Sequence, residues 1–181
     1  MKDTIMPSID ESKTFIPIRI AVLTISDTRS LETDTSGQWL AKAITDAGHQ
    51  LEDRQLARDD IWAIRAIICT WIASGQVDSI ITTGGTGLTG RDVTIEAITP
   101  LLDKSIDGFA HLFHQVSHQS VGTSTLQSRA MGGLAGETYV FCLPGSTGAC
   151  KDGWQHILQW QLDNRHRPCN LVEIMPRLAE R

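Results

Sequence analysis

The residues best suited to chemistry stand in one stretch, Thr82-Thr83-Gly84-Gly85-Thr86-Gly87-Leu88-Thr89-Gly90-Arg91-Asp92-Val93-Thr94. Glycines there let the backbone turn through positive φ and let a ligand approach main-chain N–H groups with no Cβ in the way. The threonines add hydroxyls for phosphate oxygens. A helical pattern starts at Val93-Thr94, and a helix N-terminus attracts anions. Asp92 stands where a carboxylate could hold Mg²⁺ against a bound phosphate. A second turn of the same kind, Pro144-Gly145-Ser146-Thr147-Gly148, follows the apolar run that ends at Leu143. Neither is a Walker loop, because no Gly-Lys-Ser/Thr follows, and the first lacks the third glycine of the dinucleotide fingerprint.

Other polar residues compete for roles. Ser26 and Asp27 close the first apolar run, and Asp59 and Asp60 precede a helical pattern that either could cap. Ser128 and Arg129 lie in a Ser/Thr/Gly-rich segment, as anion contacts or as ordinary loop residues. Arg91 could pair with Asp92 on the surface for little energy. His111, His114 and His118 share one helix face. No Cys, Asp or Glu completes a ligand set on that segment, which favours a solvated or interface stripe over a metal site.

The elements that must position these residues alternate. Ile18–Ile25 is nearly continuous and β-branched, as in a buried parallel strand. Asp34 offers an N-cap to a helix carrying Leu40, Ala43, Ile44 and Ala47, with Gly48 behind its end. A weaker strand spans His49–Leu56, a helix runs from Ile61 to Ala73, and Val77–Thr83 is a third strand. Helical patterns return over 94–102 and through Phe109, Leu112, Phe113 and Val116. Glu137–Leu143 is a fourth strand, followed by a helix with Cys150, Trp154, Ile157, Leu158 and Leu162. This alternation predicts an α/β domain with a mostly parallel sheet, whose ligands bind beyond the carboxyl ends of the strands. Four loops are thereby expected on one rim: Ser26-Asp27, Asp59, Gly84 to Asp92, and Gly145 to Thr147.

The 181 residues suit one compact domain, and the net charge of −5 argues against nucleic acid as a partner. No apolar run reaches membrane-spanning length and the first residues lack a signal peptide's apolar stretch, so a cytoplasmic protein is expected. The four cysteines form no CxxC pair, and Cys69 and Cys142 read as small buried hydrophobes. Residues 1–16 read as a flexible arm, 17–170 as the domain and 171–181 as a partly irregular tail.

The run Thr83 to Gly87, Arg91-Asp92-Val93-Thr94 and Leu143-Pro144-Gly145 together resemble the molybdenum cofactor biosynthesis domain, and the resemblance covers about residues 16–170. Asp34-Thr35-Ser36-Gly37, Leu88-Thr89-Gly90, Gly122 to Ala130, Pro144 to Thr147 and Arg167 to Asn170 are similar to the protein B branch of that family. The resemblance implies a three-layer α/β/α fold and a homo-oligomer, trimer or hexamer. In the adenylyltransferase branch it implies ATP and Mg²⁺ acting on molybdopterin, giving adenylylated molybdopterin and pyrophosphate. Its two acids fall on Asp92 and Asp59, as metal ligands of a catalytic site. Substrate contacts then fall on Ser26, Asp27, Gly84, Gly85, Thr86, Gly87, Ser128, Arg129, Pro144, Gly145 and Ser146. A non-catalytic molybdopterin carrier of the same pathway is the alternative reading.

Overall fold

The computed structural model describes residues 8–180. Strand β1 (Ser8–Ile9) pairs only with β8 (His166–Arg167). The main sheet holds β2 (Arg19–Ile25), β3 (Gln50–Ala57), β4 (Ser79–Thr83), β5 (Lys104–Ser105), β6 (Met131–Ala135) and β7 (Thr138–Leu143), in the order β3-β2-β4-β7-β6-β5. The first four of these in spatial order run parallel; β6 pairs antiparallel with β7, and β5 antiparallel with β6. Helices α1 (Thr35–Asp46), α4 (Asp107–Val121) and α5 (Thr147–Gly153) cover one face. Helix α5 continues through a π-helical stretch, Trp154–Leu158, and a last turn, Gln159–Gln161. Helices α2 (Ile61–Ser74) and α3 (Thr94–Ile98) cover the other face.

The three layers follow from period-two alternation within strands that are buried on both sides. Ile20, Val22, Ile81 and Phe141 pack with Leu40, Ile44, Phe113 and Trp154, while Ala21, Leu23, Ile80 and Val140 pack with Ile64, Ile68, Trp71 and Ile98. The expected α/β/α architecture with a mostly parallel sheet is the observed one. Among the described residues no helix is long and apolar enough to cross a membrane.

Register sets where the loops emerge. Ile25 lies opposite Ala57, Thr24 opposite Thr83, and Thr83 opposite Leu143. The carboxyl ends of β2, β3, β4 and β7 are therefore level. Ser26, Asp59, Gly84 and Pro144 leave the sheet along one rim, as expected.

Three readings need correction. The Ser/Thr/Gly-rich segment around Ser128 and Arg129, for which the sequence predicts no strand, runs into β6. Its glycines carry little strand propensity, yet a Cβ on Gly132 would meet Phe109 and Phe141, and one on Gly133 would overlap Leu102. Cys69 is exposed on α2, whereas Cys142 is buried. Residues 8–16 of the expected arm are tied down: Asp10 donates its N–H to Arg165 O (2.9 Å), and Asn164 bridges the Ile16 N–H and the Thr14 carbonyl at 2.8 and 2.9 Å. Residues 1–7 of that arm, and Arg181 of the tail, lie outside the described residues. The rest of the tail is docked through a 3₁₀ turn, Val172–Arg177, with Val172 buried.

Asp34 holds these pieces together. Its fully buried carboxylate accepts from Thr24 Oγ1 (2.7 Å), the Gly37 N–H (2.9 Å), Ser36 Oγ (3.2 Å) and Arg54 Nη2 (2.8 Å). Burial acts to raise its pKa, but those donors and the Arg54 charge outweigh it and hold the carboxyl below its ordinary value. A carboxyl depressed in the folded state stabilises at pH above the unfolded value, and that contribution is lost as pH falls through the folded one. Asp34→Asn keeps the shape, removes the charge and leaves the Arg54 guanidinium without its ion-pair partner. We expect urea denaturation at pH 7 to show a loss of about 3–5 kcal/mol. The variant's stability should also fall less steeply than the wild type's as the pH drops below about 4.

Candidate active site

The rim loops enclose a cleft of about 500 Å³, lined by Ser26, Thr28 and Arg29 from the β2–α1 loop, Asp59 after β3, Gly84 to Gly87, Arg91 and Asp92 after β4, and Pro144 to Ser146 after β7. Gln127 and Ser128 close it from the turn before β6. All but Gln127 and Ser128 come from four strand ends that the register made level. Their convergence is a consequence of the sheet, not of local sequence.

Glycine is required where the loops touch. Gly84 has φ +105°, and a Cβ there would strike the Ile25 carbonyl oxygen. Gly85 has φ +64°, and its missing Cβ leaves room for Thr94 Oγ1 and for Asp59 Oδ1, which would lie 2.9 Å away. A Cβ on Gly145 would sit 3.2 Å from Gly84 Cα, so the two phosphate-type turns meet backbone to backbone. The Gly84 N–H donates to Leu143 O (3.0 Å), and Thr83 Oγ1 donates to Pro144 O (3.0 Å), fixing one turn on the other.

The helix start at Thr94 is real, but its first N–H is engaged. Thr94 donates its N–H to Gly85 O (3.0 Å) and its hydroxyl to Gly84 O (2.8 Å). The start of α3 therefore anchors the loop and does not present that N–H to a ligand.

The acids separate by role. Asp60, not Asp59, caps α2, accepting from the Ala63 N–H at 2.8 Å. Asp59 is left facing the cleft. Asp92 accepts from the N–H and hydroxyl of Thr89 at 2.9 and 2.7 Å. Burial pushes the Asp92 pKa up, but Thr89, the Gly87 N–H and the nearby Arg129 charge outweigh it, and the carboxyl titrates below the ordinary range. Asp59 is shifted the other way, by burial first and then by the charges of Asp27 and Asp92; Arg91 offsets this only in part. Asp27 is held low by its ion pair with Arg91, at 2.6 Å across the mouth of the cleft.

The arginine expected to contact substrate does not line the cleft, and another does. Arg129 is not part of the cleft wall. Its guanidinium donates to the carbonyls of Gly87 (2.8 Å) and Asp92 (3.0 Å) and pairs with Glu96, bracing the glycine loop from behind. Arg29, which the reading of the loop passed over, lines the cleft together with Thr28 and Gln127. Its signal in the sequence was only a cation two residues beyond the first Ser-Asp. Asp27 is at the mouth rather than in the wall. Thr147 lies outside the wall too, near Thr35 Oγ1 at 3.3 Å.

A metal would find two carboxylates here, Asp59 and Asp92, among hydroxyls and carbonyls. Among the described residues no set of three or more His, Cys, Asp or Glu forms a cage. Two carboxylates suit Mg²⁺ that arrives with phosphate oxygens and retains water, rather than an all-protein site. The elevated Asp59 fits this: mutual repulsion between carboxylates is what a divalent cation relieves. His111, His114 and His118 line a separate shallow depression, with His111 Nδ1 2.9 Å from Asp107 O and His114 Nδ1 2.8 Å from Thr125 Oγ1.

Comparison with known proteins gives one answer. Residues 21–164 match the family model described as "Probable molybdopterin binding domain". The molybdenum cofactor biosynthesis protein B of Escherichia coli K12 is 48% identical over 159 residues, covering 88% of this chain and 94% of that protein. A crystal structure of a molybdenum cofactor biosynthesis protein B superposes with a TM-score of 0.83 at 37% identity, covering 93% of this chain and all of that one. The tungsten cofactor synthesizing protein MoaB of Pyrococcus furiosus superposes with a TM-score of 0.74 at 30% identity, covering 91% and 98%.

The position of Asp59 has a measurable consequence. A carboxyl whose folded pKa is raised destabilises the folded state at neutral pH, and the penalty is relieved as pH falls through the raised value. Removing the charge should therefore stabilise the ligand-free protein. We expect Asp59→Asn to raise the melting temperature at pH 7 by about 2 °C, a gain that shrinks towards pH 4. An unchanged or lowered melting temperature would show that neither burial nor the neighbouring carboxylates penalise the Asp59 charge.

Proposed function

The chain belongs to the molybdopterin-binding family of molybdenum cofactor biosynthesis proteins, and from that premise we propose that it binds molybdopterin and adenylylates it with ATP, releasing pyrophosphate. The observation that carries this reading is the meeting of two phosphate-type turns, Gly84 to Gly87 and Pro144 to Ser146, in one cleft with Asp59 and Asp92. A transferase that joins a phosphate monoester to a nucleotide must hold two anions side by side. A single-anion site needs only one such turn.

The reaction is in-line transfer of an adenylyl group. An oxygen of the molybdopterin phosphate attacks the α-phosphorus of ATP, and the bond to the β-phosphate oxygen breaks with its electrons, leaving pyrophosphate. Alignment and charge neutralisation are the main tasks, and no covalent nucleophile on the protein is needed. Within the Gly84–Gly87 turn the Gly84 N–H is engaged by Leu143 O and the Gly87 N–H by Asp92, so the main-chain N–H groups of Gly85 and Thr86 cradle nucleotide phosphate oxygens. Asp92, ionised at neutral pH, and Asp59 would hold Mg²⁺. When bound, Mg²⁺ supplies Lewis-acid polarisation of the phosphoryl oxygens. Ser128 and Ser26 orient the second substrate from the walls that they line. Arg129 acts through the loop that it braces. Within this reading the protein works in the cytoplasm as a homo-oligomer, trimer or hexamer.

Pyrophosphate release with ATP, Mg²⁺ and molybdopterin tests the proposal. Asp92→Asn retains an oxygen for the Thr89 donors and should melt within a few degrees of the wild type. We expect its turnover to fall about a hundredfold or more. Equal turnover would remove Asp92 from the chemistry. Molybdopterin binding by the wild type with no pyrophosphate released would instead make the protein a carrier.

A further inference from the structure

Two cations line the cleft, and they differ in how they are neutralised. Arg91 is exposed and matched one to one by Asp27. Arg29 is not matched. Its nearest carboxylate is Asp34, at 3.6 Å, and that carboxylate is already bound by Arg54 at 2.8 Å. Among the described residues neither arginine has another ion-pair partner. Two guanidinium charges and one carboxylate leave a net charge of about +1. The Arg54 side chain is 19% exposed and Asp34 fully buried, while Arg29 is 32% exposed and in the cleft wall. The surplus positive charge therefore faces the cleft.

The Arg29 guanidinium is also held in place. Nη1 donates to Ser36 Oγ at 2.6 Å and Nη2 to the Gly145 carbonyl at 3.0 Å. Behind it, Ser26 Oγ accepts from the N–H groups of Thr28 and Arg29, both at 3.2 Å, which sets the turn that points the side chain inward. These acceptors are neutral and cancel no charge. A half-buried, immobilised, unmatched guanidinium costs free energy unless an anion completes it. Its planar fork, with donors left over, suits the oxygens of a phosphate.

We infer that Arg29 binds the phosphate monoester of the acceptor substrate, holding it beside the Gly145-Ser146 turn and opposite the Gly84–Asp92 loop. Both phosphate sources in the reaction share this chemistry. The place of Arg29 favours the acceptor, because its anchor is Gly145, whereas the acids suited to a metal-borne nucleotide stand on the other wall. The assignment rests on the adenylyl-transfer reading for the identity of that acceptor, and on charge and geometry alone for the binding of phosphate.

Thermal denaturation with inorganic phosphate tests the second part without turnover. Phosphate should raise the melting temperature of the wild type, raise that of Arg29→Lys less, and leave Arg29→Met unmoved. Arg29→Lys keeps a charge against Asp34 and decides the matter if the methionine variant fails to fold. In the pyrophosphate-release assay, Arg29→Met should raise KM for molybdopterin about tenfold or more, with KM for ATP changed by less than about twofold. Undiminished phosphate protection of the variants, or a rise confined to KM for ATP, would overturn the assignment. Loss of protection in Arg29→Met, alongside a wild type that releases no pyrophosphate, would uphold Arg29 as the phosphate site and reject adenylyl transfer.

Discussion

A single buried carboxylate organises the ligand end of this protein. Asp34 receives hydrogen bonds from β2 through Thr24, from β3 through Arg54, and from the first turn of α1 through the Gly37 N–H and Ser36. Gly37 must lack a Cβ, because one would overlap both the Asp34 carboxylate and the Thr24 hydroxyl. A charge buried this completely is tolerable only when every lone pair is used. Satisfying it fixes the spacing of two parallel strands, the entry of the helix between them and the course of the loop at Arg29. Through Arg29 and the Gly145 carbonyl the same network reaches the turn after β7. The cleft's shape is thus set from outside the cleft.

The sheet supplies the second constraint. Level strand ends bring four loops to one rim, but they do not make the loops fit together. Fit comes from backbone contact: Gly145 against Gly84, Gly84 against the Ile25 carbonyl, and Gly85 beside Asp59. At Gly84 and Gly85 positive φ and close approach coincide, so any side chain would be strained and would also clash. The turns are rigid because Thr83, Thr94 and Arg129 occupy their carbonyls. Carbonyls directed away from the cleft leave the remaining polar groups free to serve a ligand.

Much of this was legible in the sequence, for physical reasons. β2, β4 and β7 are dense in β-branched or aromatic residues, and α1 and α2 carry apolar stripes with caps at both ends, so local pattern sufficed. The glycine-threonine-acid cluster was legible because few other roles need that composition. β6 was not, because its two glycines are dictated by Phe109, Phe141 and Leu102 across the sheet. Residues 8–16 were misread because partners of Thr14 and Ile16 stand some 150 residues away in the chain, at Asn164. Asp59 and Asp60 were equivalent on paper; the choice depends on which carboxylate reaches the Ala63 N–H. Arg29 and Arg129 were likewise two cations in polar loops. Only the fold shows that one braces carbonyls while the other meets the cleft.

The charges around the cleft are arranged in a way that local stability alone does not account for. On one wall Asp59 is raised by burial and by two neighbouring carboxylates. On the other, Arg29 and Arg54 share one acid. A structure selected for stability would pair these surpluses with each other, yet no ion pair joins Arg29 to Asp59 or Asp92 among the described residues. Held apart by rigid turns, the two surpluses would, in the proposed reaction, meet one composite guest: a divalent cation carried by phosphates towards the acids, and a further phosphate towards the arginine. Separation also prevents internal neutralisation, so each wall keeps its electrostatic pull until substrate arrives. In the proposed transfer, donors and charges fixed in advance would need no reorganisation as charge develops. On that reading, local instability at this rim, anchored by the Asp34 network beneath it, is a functional property of the fold.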